Sequence, residues 1–435
     1  MGKEICIGGG FTHALYKVLQ VVMKGLLDAV MSILNFLQLL RSIYGKRLPN
    51  LAKIQAQGLL AVKIAQHFAL RIDFLDEKVC RHLAQLYRKT IPLPAEDLDH
   101  LLRTSVHASW FDAFSRIEKV PFASASVGQV HEATLQDGTE VVIKIIKKDF
   151  SESFLRDLRS LRRFLRVLLF FYPKLRRVFD PMGILDHIED YTLTELNLLH
   201  EIEGQDRLRE IAERHKDHHD LSRLRFVKIY RELTNERVLV AERIRGPSFD
   251  ELLEKGQLTY DLLLELFSIH GFFLFGPGVF HGDIHPGNIL LGQGRELVFI
   301  DTGALSQIGE KIRRGLFGFF LALGEGDHGG CVRSLNEMAD RSLEEAGLRR
   351  FQKEFEKLYR DFGGSTVSQV SLTRKMMDTI KLAVNCGMEF ERGMFSIIKS
   401  LMYLDGMVLR CNPDAVLVAD MRPALARFKR SLESS

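Results

Sequence analysis

The segment HGDIHPGNIL at residues 281–290 places an aspartate at position 283 and an asparagine five residues later at position 288. The apolar run LVFI follows at 297–300 and leads to Asp301, the first residue of Asp-Thr-Gly. Kinase-type phosphoryl transfer needs an acid that orients or deprotonates the attacking hydroxyl, and hard oxygen ligands for Mg2+, which bridges the nucleotide phosphates. We therefore predict that Asp283 is the catalytic acid and that Asn288 and Asp301 bind the metal.

Two residues inside this segment favour that arrangement. Pro286 and Gly287 keep the segment out of a helix, so that Asp283 and Asn288 can turn to the same side. The competing interpretation is a loop in which the acids stand at this spacing by coincidence. The motif together with its downstream Asp-x-Gly is specific enough to favour phosphoryl transfer.

Length and composition indicate an ordinary globular protein. The chain has 435 residues, of which 46% are hydrophobic and 27% are charged. Domains usually contain about 100 to 200 residues, so two or three packed regions are expected. The net charge of +4 is too small to indicate nucleic-acid binding, and we predict no nucleic-acid partner.

Cysteine usage and the start of the chain bear on location. The cysteines are odd in number, widely spread and without a paired spacing: Cys6, Cys80, Cys331, Cys386 and Cys411. This distribution suits a reducing compartment better than a disulfide framework or a zinc site. The first residues lack the charged start, apolar core and cleavage site of a signal peptide. We expect an intracellular protein, with peripheral membrane contact as a candidate and no clear transmembrane helix.

Residues 18–40, VLQVVMKGLLDAVMSILNFLQLL, predict an amphipathic helix. Polar residues recur every three or four positions and form one narrow stripe opposite a wide apolar face: Gln20, Lys24, Asp28, Ser32, Asn35 and Gln38. Placing Asp28 near the centre of a bilayer would cost about 3 kcal/mol, so spanning is disfavoured. Contact with a membrane interface, with a partner such as a second copy, and with the helix's own domain all stay open.

A β-hairpin is predicted around Asp137-Gly138, a strong turn signal that is followed by a β-branched run at 141–146. Its second strand contains Lys144 in VVIK, the pattern in which a strand lysine holds nucleotide phosphates and is held by a helix glutamate. The loop before the hairpin carries alanine and serine where nucleotide-cradling loops carry glycine: Ala123, Ser124, Ala125, Ser126 and Val127. We expect this loop to contact ATP, with a less close approach of its backbone.

A helix is predicted over residues 151–179, with arginines at helical spacing opposite a row of leucines: Arg156, Arg159, Arg162, Arg163 and Arg166. Such a helix can lie on an anionic membrane surface, although a solvated helix face is the more common explanation. The next helix presents Glu195 and Glu201 at positions that reach different partners. A hinge near Glu242 and Ile244 is the candidate nucleotide contact between the lobes.

The segment AVKIAQHFALRIDFL contributes Lys63 and Gln66, three residues apart on one helix face. On spacing alone, this pair is an ordinary helix surface.

Taken together, these segments resemble the UbiB family of atypical kinase-like proteins, also called the ADCK family. The resemblance spans about residues 50 to 330 and rests on ordered motifs: KIAQ at 63–66, PFASASVGQVHEA at 121–133, VVIK at 141–144, ELNLLHE at 195–201, and HGDIHPGN with the following Asp-Thr-Gly. It implies an α+β, bilobal protein-kinase-like fold with a small β-rich N-lobe, a helical C-lobe and an N-terminal helical extension.

The resemblance also implies roles for individual residues. Lys144 would pair with Glu201 and bind nucleotide, while Lys63 and Gln66 would project from the helical extension into the cleft near Glu195. ATP and Mg2+ would be the cofactors. The family implies ATPase or small-molecule kinase behaviour in support of ubiquinone or other isoprenoid-lipid metabolism, with an isoprenoid lipid or quinone intermediate as a candidate partner.

Three positions depart from the family pattern. Ala65 stands for the glycine of the Lys-x-Gly-Gln signature, Asn197 for the aspartate of Glu-x-Asp, and Thr302 for the phenylalanine that protein kinases carry. Asn197 removes a negative charge beside the expected cleft, which would weaken a contact with Lys63 or with a second metal.

These motifs suggest four regions: an amphipathic helix at 1–45, a helical extension at 46–109, a kinase-like N-lobe at 110–245 and a C-lobe at 246–435. Two other functions stay open. HGDIHPGN alone also suits an aminoglycoside- or choline-kinase-like phosphotransferase, against which the alanine-rich loop and KIAQ argue. The altered positions 65 and 197 also leave open a pseudokinase that binds nucleotide or lipid as a scaffold.

Overall fold

A computed structural model of the chain describes residues 9–69, 75–87, 92–147, 150–172, 181–390 and 394–433. Cys6 and the end of the predicted helix at 151–179 lie outside these ranges. The described residues divide into two compact units. One comprises Met1–Leu101, Lys119–Val130 and Ile145–Leu196, and the other Leu102–Glu118, His131–Lys144 and Asn197–Ser435. The predicted region boundaries after residues 45, 109 and 245 stay predictions.

Helices dominate both units. The α-helices are α1 Gly9–Ile43, α2 Leu51–Ala56, α3 Leu59–Ala69, α4 Glu77–Leu83, α5 Ala95–Ser105, α6 Ser151–Phe171, α7 Pro181–Glu195, α8 Leu199–His215, α9 Phe249–Glu254, α10 Tyr260–Phe275, α11 Glu310–Glu325, α12 His328–Met338, α13 Glu345–Leu358, α14 Leu372–Asn385, α15 Met394–Cys411, α16 Leu417–Asp420 and α17 Arg422–Glu433. Short 3-10 turns occur at Ala84–Tyr87, Ala108–Ala113, Arg231–Leu233 and Pro286–Asn288.

The strands are short and mostly antiparallel. They are β1 Phe114–Ile117, β2 Ala123–Ser124, β3 Gly128–Leu135, β4 Glu140–Ile146, β5 Leu224–Phe226, β6 Val238–Glu242, β7 Val279–His281, β8 Ile289–Leu291, β9 Leu297–Phe299 and β10 Leu305–Gln307. The largest sheet has the order β1-β3-β4-β6, and β2 pairs with the start of β3. Two small sheets, β10-β7 and β5-β9-β8, carry the segments on either side of the HGDIHPGN motif. The predicted α+β kinase-like class is confirmed, with about 60% of the chain helical.

The predicted hairpin is confirmed in the second unit, where β3 and β4 are neighbours. The Leu135 N–H donates to the Thr139 carbonyl at 2.9 Å, and Thr139 N–H donates to the Asp137 carboxylate at 2.9 Å. Gly138 adopts φ +83°, a left-handed conformation that glycine enters without the Cβ clash other residues meet. The tight turn sets the register of β4, and with it the position of Lys144.

Each unit has its own apolar core. In the first unit, Leu39 and Ile43 of α1 join Phe154 and Leu158 of α6 in one buried cluster. In the second unit, the core gathers α10, α11 and the helices that follow around phenylalanines such as Phe272, which is 2% exposed. Burial of the apolar side chains in these two cores is the main contribution that holds the helices of each unit in place. Within the described ranges, no helix combines the length and apolar character needed to cross a membrane.

The first helix leaves part of its apolar face exposed to solvent. Six large apolar side chains form an exposed stripe: Met23, Leu27, Val30, Met31, Leu34 and Leu37, each 45–67% exposed. The polar stripe instead reaches α6, where Ser32 Oγ donates to Asp157 Oδ1 at 2.8 Å and Asp28 lies 3.8 Å from Arg156. Residues 18–40, predicted to be helical, lie within α1. Packing on its own unit uses part of the polar stripe and leaves much of the apolar face uncovered.

Candidate functional site

Lys144 lies at the centre of the candidate site in the second unit. Strand β4 presents its ammonium group, which forms an ion pair with Glu201 in the first turn of α8 and lies 3.1 Å from Asp301 Oδ1. The Lys144 and Glu201 side chains are 19% and 12% exposed. The pairing that the family resemblance implied is thus present, and Asp301 joins it.

Electrostatics keep Lys144 charged. Burial alone would lower the pKa of its ammonium group, but the carboxylates of Asp301 and Glu201 outweigh burial and raise the pKa above its usual value. A permanently protonated lysine beside two carboxylates can bind the phosphates of a nucleotide without changing its own protonation state.

A glycine allows α8 to approach the segment that carries Asp301. A Cβ at Gly204 would stand 2.0 Å from the carbonyl oxygen of Thr302, and one at Gly303 would stand 3.3 Å from Cγ of Glu201. Only glycine permits the first of these approaches without displacing backbone. The helix and the Asp-Thr-Gly segment therefore pack closely enough for Glu201 and Asp301 to meet at Lys144.

Hydrogen bonds within the HGDIHPGN segment and to Ile300 fix its conformation. His281 Nδ1 accepts from the Asp283 N–H at 3.2 Å, and its Nε2 lies 3.0 Å from the carbonyl of Ile300. Asn288 donates its side-chain N–H to the Asp283 carbonyl at 3.0 Å, and Ile300 N–H donates to the Asn288 carbonyl at 3.0 Å. Burial lowers the pKa of His281, which keeps the ring neutral with one donating and one accepting nitrogen.

Asp283 is buried and faces a cation from a distant helix. Its Oδ1 lies 3.1 Å from Nζ of Lys399 on α15, and the two side chains are 12% and 8% exposed. Burial alone would raise the pKa of Asp283, but the ion pair with Lys399 outweighs burial and lowers it to about 2. Asp283 is therefore ionised at neutral pH and is better suited to orienting a hydroxyl than to accepting its proton.

Lys399 and the aromatic residue beside it were not predicted from the sequence. Tyr403, on the same face of α15, meets the ring of His285 edge-on at 5.3 Å, and Lys399 lies 5.8 Å from the centre of the Tyr403 ring. The only signal for these residues was a lysine and a tyrosine four positions apart inside an apolar helix. Lysine is rarely fully buried without a partner, so that pattern would have indicated a buried charge pair but not its location.

Asn288 and Asp301 suit a magnesium ion in their chemistry. They offer amide and carboxylate oxygens, the hard ligands that Mg2+ prefers, and it normally takes its remaining ligands from water and phosphate. The Asn288 side-chain N–H is used by the Asp283 carbonyl, so the oxygen of that amide would be the atom offered to the metal. Asp301 has φ +57°, a conformation uncommon outside glycine and typical of functional positions. Within the described ranges, no group of three or more acidic, histidine or cysteine side chains has the geometry of a metal site.

The alanine-rich loop belongs to the first unit and is held by Lys147, a residue that was not predicted from the sequence. Lys147 donates its ammonium N–H to the Ala125 carbonyl at 2.8 Å and its backbone N–H to the Val127 carbonyl at 2.9 Å. Ala125 N–H donates to the Gly128 carbonyl at 2.8 Å. Burial lowers the pKa of Lys147 to about 8. The loop from Ala123 to Val127 is therefore braced from within its own unit.

Lys63 and Gln66 are buried in α3, also in the first unit. Lys63 forms an ion pair with Glu195 and lies 5.3 Å from the centre of the Tyr191 ring. Gln66 donates its side-chain N–H to the Leu86 carbonyl at 3.0 Å. The pairing of Lys63 with Glu195 gives this helix a buried charged contact, which an ordinary helix surface would lack.

The hinge residues and one departure from the family pattern have structural partners. Glu242 accepts hydrogen bonds from Arg225 and from the Lys228 N–H, both at 2.7 Å, while Ile244 is partly buried. Asn197 accepts from the Leu199 N–H at 3.0 Å, at the start of α8. An amide serves this role at a helix start as well as a carboxylate does. The nucleotide-contact role of Glu242 and Ile244 stays a prediction.

An α+β fold in which a strand lysine is paired to a helix glutamate, beside an HGD loop and an Asp-Thr-Gly segment, defines the class of kinase-like proteins. The family model described as "ABC1 atypical kinase-like domain" matches residues 85–335, more than half of the chain. The chain belongs to this ABC1 family of atypical kinase-like proteins, the UbiB/ADCK family. Membership supports kinase or phosphotransferase activity in general terms.

Individual proteins are similar to this chain over most of its length. A probable protein kinase UbiB from Erwinia tasmaniensis is 27% identical over 384 residues, covering 86% of this chain and 69% of that protein. An uncharacterised protein of Clostridium pasteurianum, encoded in the hydrogenase 1 5′ region, is 23% identical over 389 residues, covering 88% of this chain and 71% of that protein. The solved structure of Rv3197 from Mycobacterium tuberculosis, in complex with erythromycin, has a TM-score of 0.50 at 20% identity and covers 92% of this chain and 98% of that one. This structural likeness concerns the fold alone.

Proposed function

We propose that the protein is an Mg-ATP-dependent atypical kinase or ATPase. The observation that carries the proposal is the position of Lys144 between Glu201 and Asp301 in the second unit. The Glu201 carboxylate orients Lys144 toward the phosphates. The Asp301 carboxylate is the stronger of the two candidate metal ligands, Asn288 and Asp301. Phosphoryl transfer depends chiefly on positioning and on neutralising charge, and this arrangement supplies both.

Each residue of the candidate site has a distinct role in the proposed activity. Lys144 binds nucleotide phosphates, and Glu201 fixes its direction. Asn288 and Asp301 would hold Mg2+, which supplies charge neutralisation at the phosphates when bound. Asp283 orients the attacking hydroxyl or water, consistent with a pKa of about 2 that leaves it ionised.

The acceptor that we propose is an isoprenoid lipid or quinone intermediate, which places the activity in ubiquinone or related lipid metabolism. Membership of the UbiB family and the apolar surface of the first unit support this choice. A small polar acceptor of the aminoglycoside or choline type would have no use for that surface. A pseudokinase scaffold remains the alternative that turnover measurements decide.

We propose further that the first unit contacts an anionic membrane surface. The exposed apolar stripe of α1 supplies insertion area, with Leu27 62% and Leu34 53% exposed. Helix α6 packs against α1 and adds exposed arginines at Arg159, Arg163 and Arg166. Phe170 and Phe171, 80% and 69% exposed, end that helix. Apolar, aromatic and basic side chains together are the pattern of an interfacial membrane contact.

An ATPase assay tests the central proposal. Purified protein with Mg2+ should hydrolyse ATP slowly and should do so faster with anionic liposomes. Asp301→Asn should lose Mg-nucleotide binding, and Asp283→Asn should bind nucleotide but lose turnover. Asp217→Asn, at an exposed aspartate of the second unit, is the matched control and should behave as wild type. If wild-type protein hydrolyses ATP no faster than Asp283→Asn, the proposal of an active enzyme is wrong and a pseudokinase scaffold is favoured.

A further inference from the structure

The HGDIHPGN segment contains no permanently charged cation for the transferred phosphoryl group. HGDIHPGNIL has neither lysine nor arginine, and Lys144 is engaged by Glu201 and Asp301. Transfer of a phosphoryl group gains from a positive charge beside the terminal phosphate, because negative charge is spread over its oxygens in the transition state. A cation near Asp283 would fill this need.

Lys399 is placed to be that cation. Helix α15 delivers it from more than one hundred residues downstream, with Nζ 3.1 Å from Asp283 Oδ1. Both side chains are largely buried, at 8% and 12% exposure, so their interaction is weakly screened by solvent. The ring of Tyr403, 5.8 Å from Nζ, lies alongside and in turn meets the His285 ring. The lysine is thus anchored on the loop that orients the acceptor.

An ammonium group has three N–H donors, so it can hold a carboxylate and a phosphate oxygen together. Resting on the proposed phosphoryl transfer, we propose that Lys399 binds the terminal phosphate of a nucleoside triphosphate while it keeps its contact with Asp283. It therefore distinguishes ATP from ADP and brings the phosphate to the residue that orients the acceptor. Lys144 serves the phosphates that the two nucleotides share.

Affinities for the β,γ-imido analogue of ATP and for ADP, both with Mg2+, test this role by calorimetry. Lys399→Met should weaken the triphosphate analogue about tenfold or more, the equivalent of one charge-assisted hydrogen bond, and leave ADP within about twofold. Lys399→Arg, which keeps the charge, should fall between. Lys353→Met removes the same charge from an exposed position of α13 and should change neither affinity.

Lys399→Met leaves the Asp283 carboxylate buried without this partner and can reduce folding. The comparison of Asp283→Asn with the double variant Asp283→Asn/Lys399→Met avoids this, since neither then retains the buried carboxylate. The single variant should still prefer the triphosphate, and the double variant should not. Equal loss for both nucleotides, or no loss, would overturn the role of Lys399 alone. A wild-type protein that binds neither nucleotide would overturn the proposed function as well.

Discussion

Thr302 donates a hydrogen bond from its hydroxyl to the backbone carbonyl of Glu201 at 2.7 Å. The threonine is 3% exposed and stands where protein kinases carry phenylalanine. Since it directly follows Asp301, this bond ties the candidate metal ligand to the helix turn that carries the partner of Lys144. Threonine in place of phenylalanine at position 302 therefore has a structural role. Its hydrogen bond fixes the carboxylates of Glu201 and Asp301 around Lys144 relative to each other.

Thr302→Val should remove this bond while it keeps side-chain volume. We expect a loss of about 1 kcal/mol in the free energy of unfolding, the usual net worth of one hydrogen bond. We also expect weaker Mg-ATP binding, because Asp301 and Glu201 lose their common anchor. Thermal unfolding and calorimetric titration measure the two effects. Unchanged nucleotide affinity in a destabilised variant would limit Thr302 to a role in stability.

Gly204→Ala should be far more damaging than a helix alanine normally is. Its Cβ would stand 2.0 Å from the Thr302 carbonyl oxygen, so α8 must move away from the Asp-Thr-Gly segment. Gly347→Ala in α13 is the matched control, since its nearest neighbour is a Leu343 side chain at 3.5 Å. The control should gain about 0.5–1 kcal/mol from helix propensity. Melting temperatures of the two variants that shift in the same direction would contradict this packing.

Because Lys147 is buried, we expect the free energy of unfolding to rise with pH above about pH 8. Its pKa is about 8 in the folded protein because of burial, below the 10.5 of an exposed lysine. Between these values the unfolded chain binds more protons, so the free energy of unfolding increases from about pH 8 to about pH 10.5. Below pH 8 the lysine is protonated in both states, and its effect is constant.

Lys147→Met should remove this part of the pH dependence, and urea unfolding midpoints across the window measure it. The exposed Lys46→Met is the control and should follow the wild-type curve. Parallel curves for wild type and Lys147→Met would show that the buried lysine titrates as an exposed one does.

We expect the exposed apolar stripe of α1 to bind anionic vesicles. The double variant Leu27→Asp/Leu34→Asp should lose co-sedimentation with anionic vesicles and keep its melting temperature, because both side chains are more than half exposed. If the variant instead changes the mass measured by light scattering and leaves vesicle binding intact, the face joins two copies of the chain, the homodimer that the sequence left open.

We expect the exposed arginines of α6 to strengthen binding to anionic vesicles through their charge, independently of the apolar stripe of α1. Arg159→Gln/Arg163→Gln/Arg166→Gln should weaken binding to anionic vesicles at low salt by about 1 kcal/mol for each residue. Binding to neutral vesicles should stay unchanged. Arg162 serves as a contrast, because it pairs with Asp186 and Glu189 within the first unit, and its replacement should lower stability. Equal losses on neutral and anionic vesicles would exclude an electrostatic role.

Much of the fold could be predicted because its signals are local. The Asp137-Gly138 turn and the β-branched run after it determine a hairpin within a few residues, and the structure has that hairpin. The spacing of Asp283 and Asn288 similarly requires only a loop kept out of helix. The partners of these residues could not be found this way. Lys399 approaches Asp283 from a helix far along the chain, and no local pattern records such a contact.

The sequence by itself determined the residue types of the site, the amphipathic character of the first helix and the kinase-like class, since these depend on local spacing and period. The tertiary structure alone decided which charges meet: Lys144 with both Glu201 and Asp301, and Asp283 with Lys399. It also decided that the apolar stripe of α1 faces outward. The physical reason is that contacts between distant segments, and the faces left exposed, depend on how whole helices and strands pack within each unit, and no local pattern of sequence specifies that packing.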